Sequence, residues 1–550
     1  MGKQLLSIPS FTAGEMSDSM QGRTDFAKYF SAASRIENFV VLPHGPITRR
    51  PGTYFVSEVK TSSAKTRLIP FSFSTEQTYI LEFGNQYIRF YKDDGQITSG
   101  GSAYEISSPY TTAQLFDLKF AQSADVMYIC NENHPVKKLS RTGHTSWTLA
   151  DVDFTDGPYL DSNTSSTTMT PSGTTGSITI TASSSAFVST DVDRFINFSN
   201  GYAKITAFTS ATVVSATVEN DFDNTNAVTD WKLGAFSTTT GFPRCVSFFE
   251  QRLVFAGTSN QPQTMFFSKS GDYENMTSGT NDDDAMIYTI ASNQVNAIQA
   301  LKATRTLIVM TTGGEYAVSS GASQDAITPT NINIRKQSNY GSSGVDALSI
   351  GNATIFLQRA RRKIRELAYN FDTDGYTAPD LTILADHISE SGLTDMSYQQ
   401  EPYSVVWAVR ADGQMAGLTY NRLENVVAWH RHIFGGKSDT GKTVKQQKIS
   451  FTANSTNVNT TSNQITITGH GLATGDQVYY YAASNKIGGL SNSKVYYVIA
   501  VDANNIKLAI STANASANTA ISLTSAPGSD TTQFIYQGVN INNNILFVSA

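Results

Sequence analysis

His430 and His432 stand one residue apart just after Trp429, in a run that alternates as a strand does, so both imidazoles belong to one face. The remaining five (His44, His134, His144, His387 and His470) are scattered without His-Glu-x-x-His or comparable ligand spacing, so the chain's histidines read as core or surface residues. Asp282, Asp283 and Asp284 offer oxygen ligands to a hard cation, yet the spaced acidic pattern and distal Glu of a calcium loop are missing, and the triplet reads as a solvated acidic turn. Gly313-Gly314 is followed by neither Lys-Ser/Thr nor a helix, which removes a phosphate cradle. The one dense basic run, Arg359, Arg361, Arg362, Lys363 and Arg365, is split between two faces by the strand period and has Glu366 and Asp372 close by. Ion pairing within or between subunits is the expectation, ahead of contact with nucleic acid. Glycan cleavage would need two carboxylates at fixed separation, and no local motif marks such a pair. No catalytic, cofactor-binding or metal-ligating residue is therefore assigned, and no cofactor is expected.

The composition suits a subunit packed against copies of itself, and it also suits an extracellular protein. Charged residues are 16% of the 550, well under the roughly 25% of an average soluble domain. The net charge of −6 is spread along the chain, which argues against a sequence-independent grip on phosphate while leaving room for a conduit that lets a polyanion slide. Cys130 and Cys245 are the only cysteines, so a disulfide framework is excluded, and two small buried hydrophobes are expected. No apolar run is long enough to span a bilayer, and MGKQLLSIPSF lacks the apolar core of a signal peptide. Leu6 stands where a myristoylation signal needs Ser or Thr.

The elements that would hold any such residues are overwhelmingly strands. The 30 Phe and 25 Tyr, with abundant Thr, Ser and Val, suit a pleated, half-buried surface. The exception is 24–38, where Phe26, Tyr29, Phe30, Ala33 and Ile36 recur at helical spacing behind a Thr24 cap, predicting a helix. Beyond it, hairpins repeat: TYILEFGNQYIRFY, DVMYICNENHPVKKLSR, RLVFAGTSNQPQTMFF, TLIVMTTGGEYAVSS, ATIFLQRARRKIRELAY and SVVWAVRADGQMAGLTY. Their turns, centred near 84, 133, 260, 313, 361 and 412, step by about fifty residues, except across 133–260. That long step holds a Ser/Thr-rich stretch with strands of its own (SITITA, RFINFS, YAKITAF, ATVVSATV), and removing about 75 residues restores the rhythm. A fifty-residue hairpin repeat is the mark of a β-propeller; a series of ordinary antiparallel sandwiches is the alternative. A second module, QITITGHGLATGDQVYYYAA with KVYYVIAVDANNIKLAIS, is flanked by Asn/Thr/Ser tracts.

The expected fold is thus mainly β, a β-propeller-like core with an N-terminal helical segment and inserted small β domains. Its divisions are 1–60 (helical and extended), 61–159 (first part of the core), 160–235 (inserted β domain), 236–447 (second part of the core), 448–535 (small β domain) and 536–550 (a C-terminal strand segment).

Several long segments, in order, resemble one family. SIPSFTAGEMSDSMQGRTDFAKYFSAASRIENFVVLPHGPITRRPGTYFVSEVK opens the series, and RLIPFSFSTEQTYILEFGNQYIRFY and FPRCVSFFEQRLVFAGTSNQPQTMFFSKSGDYENM follow. DDDAMIYTIASNQVNAIQAL, KQSNYGSSGVDALSIGNATIFLQRARRKIRELAYNFDTDGYTAPDLTILADHI and MSYQQEPYSVVWAVRADGQMAGLTYNRLENVVAWHRH complete it. Together they cover most of 5–160 and 241–435 and resemble the tail nozzle proteins of short-tailed bacteriophages, also called tail tubular protein B-like or stabilisation proteins. The resemblance implies a virion protein and no enzyme: a subunit of a homo-oligomeric, hexameric ring in the tail, assembled in the host cytoplasm and passing double-stranded DNA without reading its sequence. Implied partners are the portal adaptor and tail fibres or spikes, with no stable membrane insertion. The module at 448–535 departs from the family pattern. Two other functions stay open on the residues: a receptor-binding or glycan-cleaving tail protein using the inserted domains, and a bacterial propeller enzyme or adhesin. Within PHGPITRRPGT, Arg49 and Arg50 are expected to pair with acidic groups inside the subunit or across a contact.

Overall fold

In the computed structural model the described residues are 10–61, 64–74, 76–292, 294–321, 325–433, 436–437, 443–444, 448–482, 484–492, 494–528, 530–537 and 544–548. The chain packs as two compact units, residues 64–383 and residues 1–63 with 384–550.

The first of these is a succession of antiparallel sheets, each with four principal strands and blade one with the added Gly95–Gln96, the blades of a β-propeller-like core. Blade one is Arg67–Ser72, Thr78–Gly84, Tyr87–Lys92 and Glu105–Ser107; blade two is Lys119–Ser123, Val126–Asn131, His134–Gly143 and Ser146–Asp151. Blade three is Cys245–Phe249, Arg252–Ala256, Thr264–Phe267 and Met286–Thr289. Blade four is Ile298–Ala303, Leu307–Thr311, Gly314–Ser319 and Asn333–Ser338, and blade five is Leu348–Ile350, Ala353–Leu357, Ile364–Asn370 and Gly375–Thr377. The fifty-residue rhythm has a simple origin: in each blade the turn that sets it joins the second strand to the third.

Side-chain alternation explains why these strands read as unbroken apolar runs. In blade four, Leu307 and Val309 pack on blade three with Val254, Ala256 and Phe267, whereas Ile308 and Met310 pack on blade five with Phe356 and Leu367. Leu253 and Phe255 of blade three turn the other way, to Tyr128 and Val136 of blade two. Phe71, Phe83 and Phe90 of blade one pack with Met127, Leu139 and Trp147 of blade two. A strand covered on both faces needs apolar residues at every position, not every second one. Each fully buried side chain of this size contributes roughly 1.5–3 kcal/mol, so the joints between blades carry much of the unit's stability.

Between blades two and three the chain builds a separate six-stranded sheet, in the order Met169–Pro171, Ser177–Ala182, Val213–Asn220, Gly201–Ser210, Phe195–Phe198 and Trp231–Leu233. It has its own core, including Ile180, Phe187, Ile196, Phe198 and Val214.

In the other unit, Leu393–Gln399, Val405–Arg410, Met415–Asn421 and Val426–His432 form a sixth meander. Gly14–Glu15 joins its last strand in parallel, and Ala32–Ala33 joins Gly14–Glu15. A seven-stranded sheet runs from Lys448–Ala453 through Thr531–Gln537, Gln477–Ala482, Val495–Ala500, Asn505–Ala509 and Gln464–Thr466 to Val458–Asn459. Asn544–Val548 pairs with Thr53–Glu58. Among the described residues no helix is long and apolar enough to cross a membrane.

The helix expected over 24–38 is not there. A single 3-10 turn, Ala27–Ser31, is followed by extended chain. Tertiary pairing overrides the local helical spacing. Ala32–Ala33 is consumed as a sheet edge, and the Ile36 amide is held by a buried carboxylate, at 2.8 Å from Glu15 Oε2. The apolar residues divide accordingly: Phe26 and Tyr29 pack near Met16 and Ala32, whereas Ala33 and Ile36 pack with Val41, Val426 and Ala428.

Candidate functional site

The chemistry-bearing side chains that converge are those at the heads of the blades. Arg67 and Lys119 are the first residues of blades one and two, and Asp346 lies two residues before blade five. Lys119 Nζ stands 2.5 Å from Asp346 Oδ1, Arg67 Nη2 stands 3.3 Å from Asp346 Oδ2, and both cations are buried. Arg67 also donates to the carbonyls of Leu115 and Leu118, and Lys119 to that of Gly344. One carboxylate from the fifth blade therefore holds the first two, which requires the five blades to curve round a common axis. Burial would raise the Asp346 carboxyl, but Lys119 and Arg67 outweigh it and hold the group below the usual carboxylate range.

A second lock lies in the unit that contains the sixth meander. Glu15, wholly buried, accepts from both Arg431 Nη2 and Arg431 Nε, from the Ile36 amide, and faces His387 Nε2 at 2.7 Å. Burial opposes its charge, yet Arg431 and the bonds from His387 bring its carboxyl down to about 2. Gly14 makes this approach feasible: its φ is +69°, and a Cβ there would lie 2.3 Å from the backbone nitrogen of Trp429.

His430 and His432 do share a face, and both are buried. The Thr419 hydroxyl donates to the Val41 carbonyl at 2.7 Å, so its oxygen is left to accept from His430 Nε2 at 3.1 Å. His430 Nδ1 must then accept from His432 Nε2, 2.5 Å away. Trp407 closes the stack, 4.9 Å from the His432 ring, and Gly417 leaves room for His430, whose Cε1 would be 2.2 Å from a Cβ. Two neutral rings fit this chain of donors. Burial pushes His430 down to about 3 and His432 well below its ordinary value. Among the described residues no group of three His, Cys, Asp or Glu side chains stands ready to hold a metal.

Asp282, Asp283 and Asp284 act mainly through their carbonyls. Arg252, buried in the second strand of blade three, donates to the carbonyl oxygens of Ser268, Asp284 and Asp282 at 2.8, 2.7 and 2.6 Å. Lys269 bridges the Asp283 and Asp284 carboxylates, and the Asp284 side chain is buried, so the solvated acidic turn is in part a cage for an arginine. In the basic run, Lys363 pairs with Asp380 at 2.9 Å, and Arg365 donates to the Ala378 carbonyl and stacks on Tyr340 at 3.5 Å. Arg359, Arg361 and Arg362 sit exposed on the hairpin tip. Arg50 donates to the carbonyls of Pro51 and Ile433, and Arg49 is exposed. Cys130 and Cys245 are buried and free, their thiols pushed up by burial.

Sequence reasoning passed over Glu15, Glu82, Arg252 and Asp346. Glu82 is buried between the hydroxyls of Tyr87 and Tyr91, the latter at 2.6 Å. Its signal was available: a lone charge inside an apolar strand, as in TYILEFG and RLVFA, has to be paired once the strand is covered on both faces.

Among the described residues an open concavity lies at the foot of the inserted sheet. A cleft of about 280 Å³ separates the inserted sheet from the chain that leaves blade two and the segment that returns toward blade three. Phe154, Phe195 and Phe242 line it with Asp153, Asp193 and Lys204.

The chain matches no family model and no curated protein. Among solved structures it is similar to the computationally designed Ika8 protein, at 11% identity over 67% of this chain and 87% of that one, with a TM-score of 0.31. The WD40 domain of Neurospora crassa Pan2 covers 59% of this chain and 82% of its own at 8% identity and a TM-score of 0.26. The β-propeller domain of Myceliophteria thermophila Cps50 (Swd1) covers 65% and 100% at 8% identity and a TM-score of 0.30. None of these likenesses says what the chain does.

Proposed function

We propose that this chain is a structural subunit of a short phage tail nozzle, copied around an axis to form the tube through which the genome leaves. The reading rests on the ordered resemblance to tail nozzle proteins. One observation carries it into physics: the resembling segments contain most of the residues that form the buried locks, Lys119 excepted. Gly14 and Glu15 lie in FTAGEMSDSM, Arg252 and its carbonyl cage in FEQRLVFAG, TMFFSKS and DDDAM, Asp346 in GSSGVDALSIG, and Arg431 in VVAWHRH. A wall facing pressurised DNA has to be stiff, and the Asp346 pairs, which tie blade five to blades one and two, resist shear because separating them exposes unpaired charge.

In such a ring each subunit presents two different faces to its neighbours, and growth stops when the rotation closes. The portal adaptor is the partner above and fibres or spikes are the partners at the side, while the net charge of −6 suits a lumen that is neutral to negative. Negative-stain microscopy and mass photometry of the purified protein, alone and mixed with the adaptor, test the reading. Closed rings in either sample are expected. Monomers in both would overturn it, and a continuous positive lining in a ring map would overturn the lumen claim.

A further inference from the structure

The inserted sheet does more than interrupt the repeat, because its junction with the blades is concave and its lining is partly exposed. Phe154, from the chain leaving blade two, Phe195, from the sheet, and Phe242, from the returning segment, each remain partly exposed on the cleft. Leaving aromatic surface in water costs roughly 25 cal/mol per Å², and a concavity lined by apolar rings with a few convergent polar groups is the usual form of a ligand site. The polar groups are of both kinds. Asp153 and Asp193 accept, Lys204 donates, and the Lys204 Nζ to Asp153 Oδ1 distance of 3.9 Å across the cleft is too long for a hydrogen bond.

We propose that this cleft binds one neutral hexose ring of a polysaccharide. A cation would meet Lys204, and an anion would meet two carboxylates. A neutral polyol satisfies both, since each hydroxyl donates and accepts, and its C–H face covers an aromatic ring. At about 280 Å³ the cleft falls just below the roughly 300–1,000 Å³ of sites for drug-sized ligands, room for a single ring with its chain running out to solvent.

The walls are fixed before any ligand arrives. Asp191 and Arg194, both buried, pair at 2.8 Å; Arg194 Nε donates to the Gly234 carbonyl at 2.7 Å, and Thr239 donates to Asp191 at 2.7 Å. These bonds tie the sheet's turn at 189–194 to the returning segment, and the Ala235 amide donates to the Pro158 carbonyl at 2.7 Å. A preformed site spends little of its binding energy on ordering.

Saturation-transfer NMR on the full chain tests this, with the methyl glycosides of glucose, galactose and mannose and with N-acetylglucosamine, each at millimolar concentration. Transfer to the ring C–H protons of at least one sugar is expected. It should be abolished by Phe195→Ala and weakened about tenfold by Asp193→Asn, a change suited to the φ of +68° at that position. If Phe195→Ala loses its fold by circular dichroism, Lys204→Gln takes its place, with the same weakening expected. Silence from all four sugars, transfer that survives in every folded variant, or binding of putrescine but of no sugar would each overturn the proposal. Ring assembly is not the readout, so failure here leaves the nozzle reading standing.

Discussion

Asp346, at the head of the fifth blade, ion-pairs with Lys119, the first residue of the second, at 2.5 Å and across 227 residues of chain. The same carboxylate holds Arg67 of the first blade, so three blades are tied at one point. Replacing Asp346 with Asn removes the negative charge that two buried cations share. Because the Asp346 side chain stays 43% exposed, the loss should be about 2 kcal/mol, under the roughly 3–5 kcal/mol of a fully buried pair. Urea denaturation followed by tryptophan fluorescence reads it. An Asp346→Asn protein as stable as the wild type would show that the tie is not a stabilising one.

The Glu15 lock is deeper in the protein and should matter more. Glu15→Gln keeps the shape but removes the buried negative charge that Arg431 and the Ile36 amide share, at a cost of roughly 3–5 kcal/mol. Gly14→Ala meets the Trp429 backbone and forces a strained φ, which adds roughly 1–3 kcal/mol of strain and displaces the Gly14–Glu15 strand. Both should speed hydrogen exchange of the amides in Val426–His432, and of Ile36, more than those of blade four.

Acid should unfold this unit in two stages. His430 and His432 are held below their unfolded values by burial, so the unfolded chain takes up protons first. Stability is full above about pH 6.5 and falls as the pH drops from there toward about 3, by up to roughly 1.4 kcal/mol per pH unit for each proton. Glu15 adds a second loss. Its folded pKa is depressed, so its contribution is present above its unfolded value of 4.5 and disappears as the pH falls toward about 2. Thermal melts from pH 8 to pH 3 should show Tm falling from about pH 6.5 down. A Tm flat between pH 6.5 and 4.5 would contradict the neutral histidine pair.

Arg252 tests the carbonyl cage. Lysine at this position keeps the charge but lacks the planar fork that reaches Ser268, Asp282 and Asp284 together, so Arg252→Lys should cost at least about 2 kcal/mol. A comparable change at the exposed hairpin tip should be nearly silent. Arg361 has a φ of +59°, where glycine relieves strain while loosening the unfolded chain, so Arg361→Gly should move stability by less than about 1 kcal/mol. Equal losses at the two sites would remove the distinction between caged and solvated arginines.

The repeat was legible in the chain because hairpins are local: turn residues and alternating apolar runs sit next to each other in sequence, and the turns near 84, 133, 260, 313, 361 and 412 all fall between strands that pair directly. The segment 24–38 shows the limit of such reading. Its helical spacing was real, but the Gly14–Glu15 strand and the buried Glu15 carboxylate, 21 residues upstream of Ile36, offered Ala32–Ala33 and Ile36 better bonds. Which charges would meet was equally beyond the sequence. Glu15 finds Arg431 across 416 residues and Lys119 finds Asp346 across 227, distances at which local propensity carries no information. By itself the sequence determined strands, turns and the period of the blades, since each depends on near neighbours. Only tertiary structure decided the locks, the neutral histidine pair and the cleft under the inserted sheet, because each requires residues that come within bonding distance only after the sheets have packed.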